Sequence, residues 1–177
     1  MNLILFGPPG AGKGTQAKYL VKKLNGFQIS TGDMLRNEIQ KDSEIGKMII
    51  KDMNDGKFVN DQIVNKLIEK VIFDGYPRSI SQAKNLDLLL DNSNQKIDFI
   101  FFLNVNKDTI IKRIEKRKIL EKRLDDDSLT ILKRYDTYME TTRPVLDFYS
   151  KNPKFNEIDG TLKIDEITAK IDTFLNV

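Results

Sequence analysis

Cysteine and histidine are both absent from the 177 residues of the sequence. The absence of cysteine excludes disulfides and thiolate metal sites and is compatible with a reducing compartment. The absence of histidine removes the commonest general base at neutral pH, so catalysis would have to use other groups. No apolar run approaches the ~20 residues of a membrane span, and a strand pattern begins directly at the N-terminus, which leaves no room for a signal peptide. We therefore expect a cytoplasmic protein without a membrane partner.

Arginine is scarce as well, because only 7 of the 29 basic residues are arginine and the other 22 are lysine. With 26 acidic residues the net charge is +3, too weak and too dispersed to favour nucleic acid or an anionic membrane as a partner. A chain that uses lysine for surface charge can keep arginine where its planar fork matters, as in two-point binding of phosphate. The arginines are Arg36, Arg78, Arg113, Arg117, Arg123, Arg134 and Arg143.

Short apolar runs alternate with helical patterns along the chain, and no repeat or linker divides them. With 40% hydrophobic and 31% charged residues, residues 1–177 have the composition of a single soluble domain. We predict strands at residues 3–6, 27–29, 71–73, 99–103 and 155–158. Because helical patterns separate these runs, the sequence predicts an α/β fold, with a five-stranded parallel sheet that carries helices on both faces.

The helical patterns have 3.6-residue periodicity with one apolar face. Three helical patterns between the second and third strands exceed one ordinary crossover, so we interpret residues 30–59 as a helical flap over the edge of the sheet. Pro144 lies inside the longest pattern and should kink or interrupt it. A closing helix should turn Ile164, Ile167, Ile171 and Phe174 inward. Four other helices are predicted. One covers residues 13–24, one follows Arg78 and ends at about residue 91, one covers 107–117 and one covers 126–149.

A glycine-rich stretch, GPPGAGKGT at residues 7–15, lies between the first strand and the first helix. Glycines allow a sharp turn that aims backbone N–H groups inward, and the helix start adds partial positive charge. Lys13 adds a full charge, and the spacing fits the phosphate-binding loop template, except that Gly14 replaces the usual Ser or Thr and the hydroxyl follows at Thr15. The stretch therefore predicts a nucleoside triphosphate site, formed by Gly10, Ala11, Gly12, Lys13, Gly14 and Thr15.

Asp74 closes the third apolar run and is followed by Gly75, Tyr76, Pro77 and Arg78. Open α/β sheets place ligand crevices at the carboxyl ends of their strands. A carboxylate in that position can hold Mg²⁺, directly or through water, beside bound phosphates. The alternative for Asp74 is a helix cap, and the alternative for Arg78 is a solvated surface side chain.

A second group of arginines surrounds a predicted loop at residues 118–122. Arg117 and Arg123 flank this loop, Arg134 lies about three helical turns beyond, and Asp125 and Asp126 sit between them. Such a loop could close over phosphates and be held shut by salt links. The alternative is a ladder of i,i+4 charge pairs on an exposed helix.

Taken in order, these motifs resemble those of the adenylate kinases, within the nucleoside monophosphate kinase family. Residues 7–15 resemble the family's GxPGxGKGT loop, including the glycine after lysine. Residues 29–36 are similar to its monophosphate motif, and residues 74–78 with Gln82 and Ala83 resemble DGFPR…QA. Residues 123–126 resemble the RxDD of the mobile lid. The resemblance spans nearly the whole chain.

The resemblance implies transfer of a phosphoryl group from Mg·ATP to AMP to give two ADP, in a P-loop fold that acts as a monomer. It implies a short lid at 117–126, although residues 118–122 lack the glycine usual there. ATP would contact Gly10–Thr15, Arg113 and Arg117. AMP would contact Thr31, Arg36, Lys57, Phe58, Val59, Gly75, Tyr76, Pro77, Arg78, Gln82, Arg123 and Arg134. The catalytic residues would be Lys13, Arg78, Arg117, Arg123 and Arg134, with Asp74 at the metal.

AMP is favoured over pyrimidine monophosphates because Thr31 and Gln82 match adenylate kinases. An amide offers one acceptor and one donor to an adenine edge. A UMP/CMP kinase is the alternative in the same class. A GTP-dependent switch would need an NKxD motif, but Thr109 stands where that motif requires aspartate, so we interpret residues 104–109 as a turn and helix cap. A non-catalytic nucleotide-binding module would have no reason to keep the arginines.

Overall fold

The computed structural model describes residues 1–30, 33, 71–121 and 128–176. Five parallel strands form one sheet in the order β2-β3-β1-β4-β5, which confirms the predicted α/β architecture. Each predicted strand is present, with ends extended by up to two residues. The strands are β1 (Asn2–Phe6), β2 (Phe27–Ser30), β3 (Val71–Asp74), β4 (Ile97–Asn104) and β5 (Phe155–Asp159).

Helices follow the strands in the described part of the chain. The first, predicted over 13–24, has those bounds in the structure. The helices are α1 (Lys13–Leu24), α2 (Ile80–Asn92), α3 (Lys107–Glu121), α4 (Ser128–Thr137), α5 (Arg143–Tyr149) and α6 (Ile164–Leu175), with a π-helical segment, Tyr138–Thr142, joining α4 to α5. None of them combines the length and apolarity that crossing a bilayer requires.

Alternate residues of the strands divide the core into two layers, one on each face of the sheet. Leu3 and Leu5 belong to the layer that also contains Ala17 and Leu20 of α1. Ile4 and Phe6 belong to the opposite layer. Other helices also contribute residues to both layers, α3 and α6 to the first and α2 and α5 to the second. These residues are Ile110, Ile114, Ile167, Ile171 and Leu175, then Ala83, Leu86, Leu90, Val145, Leu146 and Tyr149. The predicted coverage of both faces is confirmed.

The helix predicted to end at Arg117 continues to Glu121, so the predicted loop at 118–122 is wrong over its first four residues. The four residues before position 122 are Lys, Ile, Leu and Glu, which lack glycine and proline and are compatible with continued helix. Ile119 is 78% exposed at this end of α3.

Pro144 interrupts the long helical pattern, as predicted. It lies at the start of α5, where a missing N–H costs least, and the turn before it is π-helical. Arg143 donates its backbone N–H to the carbonyl of Tyr138, a wider i→i+5 spacing. Tyr138 and Thr142 of this segment are buried.

The closing helix differs from its predicted inner stripe. Ile167 and Ile171 are buried, but Ile164 is 60% exposed and Phe174 is 41% exposed. Leu175 takes the inner position instead, because it follows Ile171 by four residues and so lies on the same face. Phe174 covers the flank of this face, with its ring centroid 5.9 Å from that of Phe101.

Several predictions fall outside the described residues. They are the three helical patterns between the second and third strands, nearly all of the flap at 30–59, and the part of the lid at 122–126. At the start of this segment, Ser30 Oγ accepts a hydrogen bond from the backbone N–H of Asp33 at 3.3 Å.

Candidate active site

The glycine-rich loop joins the end of β1 to the start of α1, as predicted. Gly12 is the N-cap of α1 with φ 97°, and its carbonyl accepts the N–H groups of Thr15 and Gln16 at 3.1 Å. Gly10 has φ 82°, and a Cβ there would lie 2.9 Å from Ile114 Cγ1. Both positions therefore require glycine, one for the left-handed backbone at the helix start and one also for close packing against α3.

The Lys13 side chain is held at the mouth of this loop by backbone carbonyl groups of the loop. Its Nζ donates hydrogen bonds to the carbonyl oxygens of Gly7 at 2.8 Å and Pro8 at 3.1 Å. An ammonium group has three donors, so one remains for an anion. The pKa of Lys13 is lowered from 10.5 to about 8, chiefly because burial disfavours the charged form.

Other charges converge on Lys13 from different parts of the fold. The carboxylate of Asp74 opposes the lowering of the lysine pKa, whereas Arg78, Arg134 and Arg117 contribute to it. Arg78 lies between β3 and α2, Arg117 in α3 and Arg134 in α4. The structure thus brings four cationic side chains and one carboxylate, which are far apart in sequence, to one place. Arg117 and Arg134 are both half-buried, and their charges contribute to lowering the pKa of Lys13.

Asp74 is the last residue of β3 and is 8% exposed. Gln28 Nε2 donates a hydrogen bond to Asp74 Oδ2 at 3.0 Å, and a Cβ added to Gly14 would lie 3.4 Å from the same oxygen. The carboxylate therefore faces the first turn of α1. Asp74 does not cap the next helix, because Ser79 is the N-cap of α2 and its Oγ accepts the N–H of Gln82 at 3.2 Å.

The β3–α2 loop fixes the backbone and the guanidinium of Arg78. Arg78 Nε donates to the carbonyl of Gly75 at 2.6 Å, and the Arg78 N–H donates to Gln82 Oε1 at 2.7 Å. Thr142 Oγ1 donates to the Arg78 carbonyl at 3.3 Å. The Tyr76–Pro77 peptide bond is cis, and the ring of Tyr76 packs 6.2 Å from that of Phe73. Arg78 is thus half-buried, with its backbone held by two of these bonds and its guanidinium by the third, unlike a freely solvated side chain.

Arg113 lies on the side of the fold near β5. Its Nη1 donates to the carbonyl of Gly160 at 2.6 Å and its Nη2 to that of Leu162 at 3.3 Å. These bonds connect α3 with the turn between β5 and α6. Thr15, by contrast, is exposed at the first turn of α1. The other predicted site residues Thr31, Arg36, Lys57, Phe58, Val59 and Arg123 lie outside the described residues.

Residues 104–109 form the predicted helix cap. Asn106 Oδ1 accepts the N–H of Thr109 at 2.9 Å at the start of α3. Lys107 Nζ lies 5.4 Å from the ring centroid of Tyr135. Of the two groups that a guanine-reading motif would use, the Asn106 amide therefore caps α3 and the Lys107 ammonium contacts Tyr135 of α4.

Two polar residues that contact the site were missed by the sequence reasoning. Gln28 bonds to Asp74, and Thr142 bonds to the Arg78 carbonyl. Gln28 could not be found from the sequence, because its contact with Asp74 depends on the pairing of β2 with β3. Thr142 gave no signal, since a threonine on a long amphipathic helix is ordinary.

Comparisons with known proteins agree on one family. A family model described as "Adenylate kinase" matches residues 5–154. A protein named adenylate kinase from Pelagibacter ubique is 47% identical over 213 aligned positions, covering 100% of both chains. Another from Mycoplasma mycoides is 40% identical, covering 96% of this chain and 94% of that protein. A third, from Hyphomonas neptunium, is 42% identical over 185 positions, covering 99% and 98%.

Proposed function

The chain belongs to the adenylate kinase family, and we propose that it works through the charged cluster around Lys13 at the carboxyl edge of its sheet. The reaction is the reversible transfer of a phosphoryl group from ATP to AMP, giving two ADP. The observation that carries the proposal for the site is the convergence of Lys13, Asp74, Arg78, Arg117 and Arg134 beside the glycine-rich loop.

The chemistry suits a chain without histidine. The acceptor is a phosphate oxygen of AMP, which is already anionic at neutral pH, so no general base has to remove a proton. What the transfer needs is close positioning of two highly charged nucleotides and stabilisation of the charge on the transferring group. Fixed cations in a poorly solvated site supply both, because their charges are already oriented before the reaction begins.

The ATP side is assigned to the glycine-rich loop and α3. Backbone N–H groups at the start of α1 would bind the phosphates, and Lys13 would reach them with its remaining donor. Arg117 would stabilise the transferring phosphate. Arg113 would border the base near the Gly160–Leu162 turn, which its guanidinium already contacts. The proposed ATP residues are Gly10, Ala11, Gly12, Lys13, Gly14, Thr15, Arg113 and Arg117.

The AMP side is assigned to the β3–α2 loop, with α4 and the flap. Arg78 is the anchor of the described part, since its bonds to Gly75 and Gln82 fix it. Arg134 would join it at the phosphate. The proposed AMP residues are Thr31, Arg36, Lys57, Phe58, Val59, Gly75, Tyr76, Pro77, Arg78, Gln82, Arg123 and Arg134.

Mg²⁺ is the proposed cofactor, at Asp74. A nearly buried carboxylate that faces the phosphate-binding helix offers the hard oxygen ligands that Mg²⁺ prefers, so the residues present fit the ion. When bound, the ion would neutralise phosphate charge together with Lys13. The role of Asp74 would be to hold it or its water shell in a fixed position relative to the loop.

Two further elements complete the proposal. A flap at 30–59 and a short lid at 117–126 would close over the nucleotides and exclude water that could hydrolyse ATP. The enzyme would act as a monomer in the cytoplasm. The family resemblance supports a monomer, and a cysteine-free composition is compatible with a reducing compartment. Gel filtration and cell fractionation test these two points.

An acceptor panel tests the substrate. Purified protein with Mg·ATP is assayed in parallel on AMP, UMP and CMP, and ADP alone is assayed for conversion to ATP and AMP. We expect AMP to be strongly preferred and ADP to disproportionate. Preference for UMP or CMP would instead support a pyrimidine monophosphate kinase, and no transfer to any acceptor would support a binding module.

Replacing Lys13 tests the site. Lys13→Met should lower kcat by about a thousandfold or more, because it removes a preorganised charge from the transferring phosphate. Lys18→Met is the matched control, since Lys18 is exposed on the same helix. Near-normal turnover in a folded Lys13→Met protein would overturn the assignment.

A further inference from the structure

We infer that Gln28 is a positioning residue for the metal carboxylate: its side-chain amide holds the Asp74 carboxylate in the orientation that serves Mg²⁺. The inference rests on the proposed role of Asp74. Gln28 lies on β2, one strand away from Asp74 and two strands away from the glycine-rich loop, and its side chain bonds to the Asp74 carboxylate, so we place its effect on the reaction at that carboxylate.

The strand register explains how the contact forms. In the parallel pair of β2 and β3, Gln28 stands opposite Ile72, and Ser30 stands opposite Asp74. Alternate residues share a face, so the side chains of Gln28 and Asp74 lie on the same side of the sheet. Ile72 belongs to the core layer that contains α1. The long glutamine side chain spans the two-residue offset, and its Nε2 reaches Asp74 Oδ2 at 3.0 Å.

The oxygen that Gln28 holds is also the one that faces the phosphate-binding helix. A Cβ at Gly14 would be in van der Waals contact with Asp74 Oδ2, at 3.4 Å. Gly14 is the position where the general phosphate-binding loop carries Ser or Thr. The carboxylate of Asp74 therefore lies beside the space in which that hydroxyl would stand.

One hydrogen bond is enough to fix the carboxylate. A carboxylate oxygen accepts about two hydrogen bonds, so Oδ2 keeps a lone pair free, and the other oxygen is not used by this contact. Without the amide, the carboxylate could rotate about its Cβ–Cγ bond, because that terminal torsion is broad. Hydrogen-bond partners of metal-binding carboxylates typically change metal affinity or activity by 10- to 100-fold when they are removed.

The test measures metal binding directly, with Mn²⁺ as the probe. The complex of enzyme and ATP is titrated with Mn²⁺ and followed by electron paramagnetic resonance, for the parent, Gln28→Leu and Gln28→Met. Methionine fills nearly the same space as glutamine without a donor, and so keeps the test valid if Gln28→Leu folds poorly. We expect Mn²⁺ affinity to fall about tenfold or more in both variants, while affinity for ATP in the presence of a chelator stays within twofold.

Gln95→Leu is the matched control. Gln95 also makes a side-chain hydrogen bond, in which its Oε1 accepts from Asn2 Nδ2 at 2.9 Å. It lies just before β4, at the amino ends of the strands, whereas the site lies at their carboxyl ends. This variant should bind Mn²⁺ as the parent does. Equal loss in Gln95→Leu would show that the effect is general destabilisation and would overturn the inference.

Asp74→Ala, alone and combined with Gln28→Leu, separates the positioning role of Gln28 from the metal-binding role of Asp74. We expect Asp74→Ala to weaken Mn²⁺ binding and Gln28→Leu to add nothing in that background, since the two residues act as one unit. If Asp74→Ala weakens binding but the Gln28 variants do not, the inference fails and the metal role of Asp74 stands. If Asp74→Ala leaves Mn²⁺ binding unchanged, both fail.

Discussion

The amide oxygen of Gln82 accepts the backbone N–H of Arg78 at 2.7 Å. Because that partner is a donor, it fixes which end of the amide is oxygen and leaves Nε2 as the donor. Gln82 is the residue expected to read the adenine of AMP, and Arg78 is expected to bind its phosphate. The contact therefore couples the residue proposed for the base to the residue proposed for the phosphate.

Gln82→Glu separates the two functions of this amide. The carboxylate still accepts the Arg78 N–H, so folding should be preserved, but the donor to adenine is lost. We expect KM for AMP to rise about 10- to 100-fold, which corresponds to about 1.5–3 kcal/mol, with KM for ATP unchanged. Steady-state kinetics with each nucleotide varied in turn measures this. A parallel rise in both KM values would argue against a base-reading role.

Proton uptake on ATP binding follows from the lowered pKa of Lys13, about 8. One pH unit above that value most of the lysine is neutral, and bound phosphates would favour its charged form. Binding of ATP should therefore take up protons when the pH is one unit above the pKa of Lys13. The uptake should be far smaller when the pH is one unit below that pKa, where the lysine is already protonated. Calorimetry in buffers of different ionisation enthalpy measures the uptake. Lys13→Met should abolish it, and uptake that persists in this variant would assign the proton to another group.

The helical end of α3 can be checked at Ile119, which is exposed and has little packing to lose. If residues 118–121 are helical, Ile119→Gly should be less stable than Ile119→Ala by about 0.8–1 kcal/mol, the difference in helix propensity. Urea unfolding of the two variants measures the difference. Equal stability would point to a loop at this position.

Asp87 should make the stability of the fold depend on pH. Tyr149 donates its hydroxyl to Asp87 Oδ1 at 3.1 Å, and burial raises the pKa of this carboxyl above 3.8. The folded state therefore binds more protons than the unfolded state between the two pKa values, so this group's contribution to stability falls as pH rises through that window. Asp87→Asn keeps an acceptor for Tyr149, so it should be at least as stable as the parent at pH 7.

The same variant should lose any advantage at low pH, where Asp87 of the parent is protonated. Thermal unfolding across the acidic range measures the crossover. Asp147→Asn, on the exposed side of α5, serves as the control and should show no such trend. A difference in stability between Asp87→Asn and the parent that stays constant at all pH values would contradict the role assigned to Asp87.

Much of the fold could be predicted because local signals agreed with the tertiary structure. The strands are short apolar runs. The helix Lys13–Leu24 begins at a glycine-rich turn, so its helical periodicity and the residues of the turn both predict the same element. The errors occurred where the sequence has no glycine, proline or other signal that marks the end or the inner face of a helix. At Lys118–Glu121 a loop was predicted between two arginines, whereas the helix continues to Glu121. In α6 the helical periodicity is compatible with either Phe174 or Leu175 as the last buried residue, and only packing against the sheet selects Leu175.

The sequence by itself determined that a phosphate-binding loop lies between a strand and a helix, that no histidine chemistry is available, and that arginines recur at the expected motif positions. Those are properties of residue type and spacing. Only the tertiary structure decided which charges meet, because Lys13, Asp74, Arg78, Arg117 and Arg134 lie on separate elements, and their proximity depends on strand order and helix packing. It also decided that Gln28 holds Asp74, a contact that exists only because β2 pairs with β3 in this register.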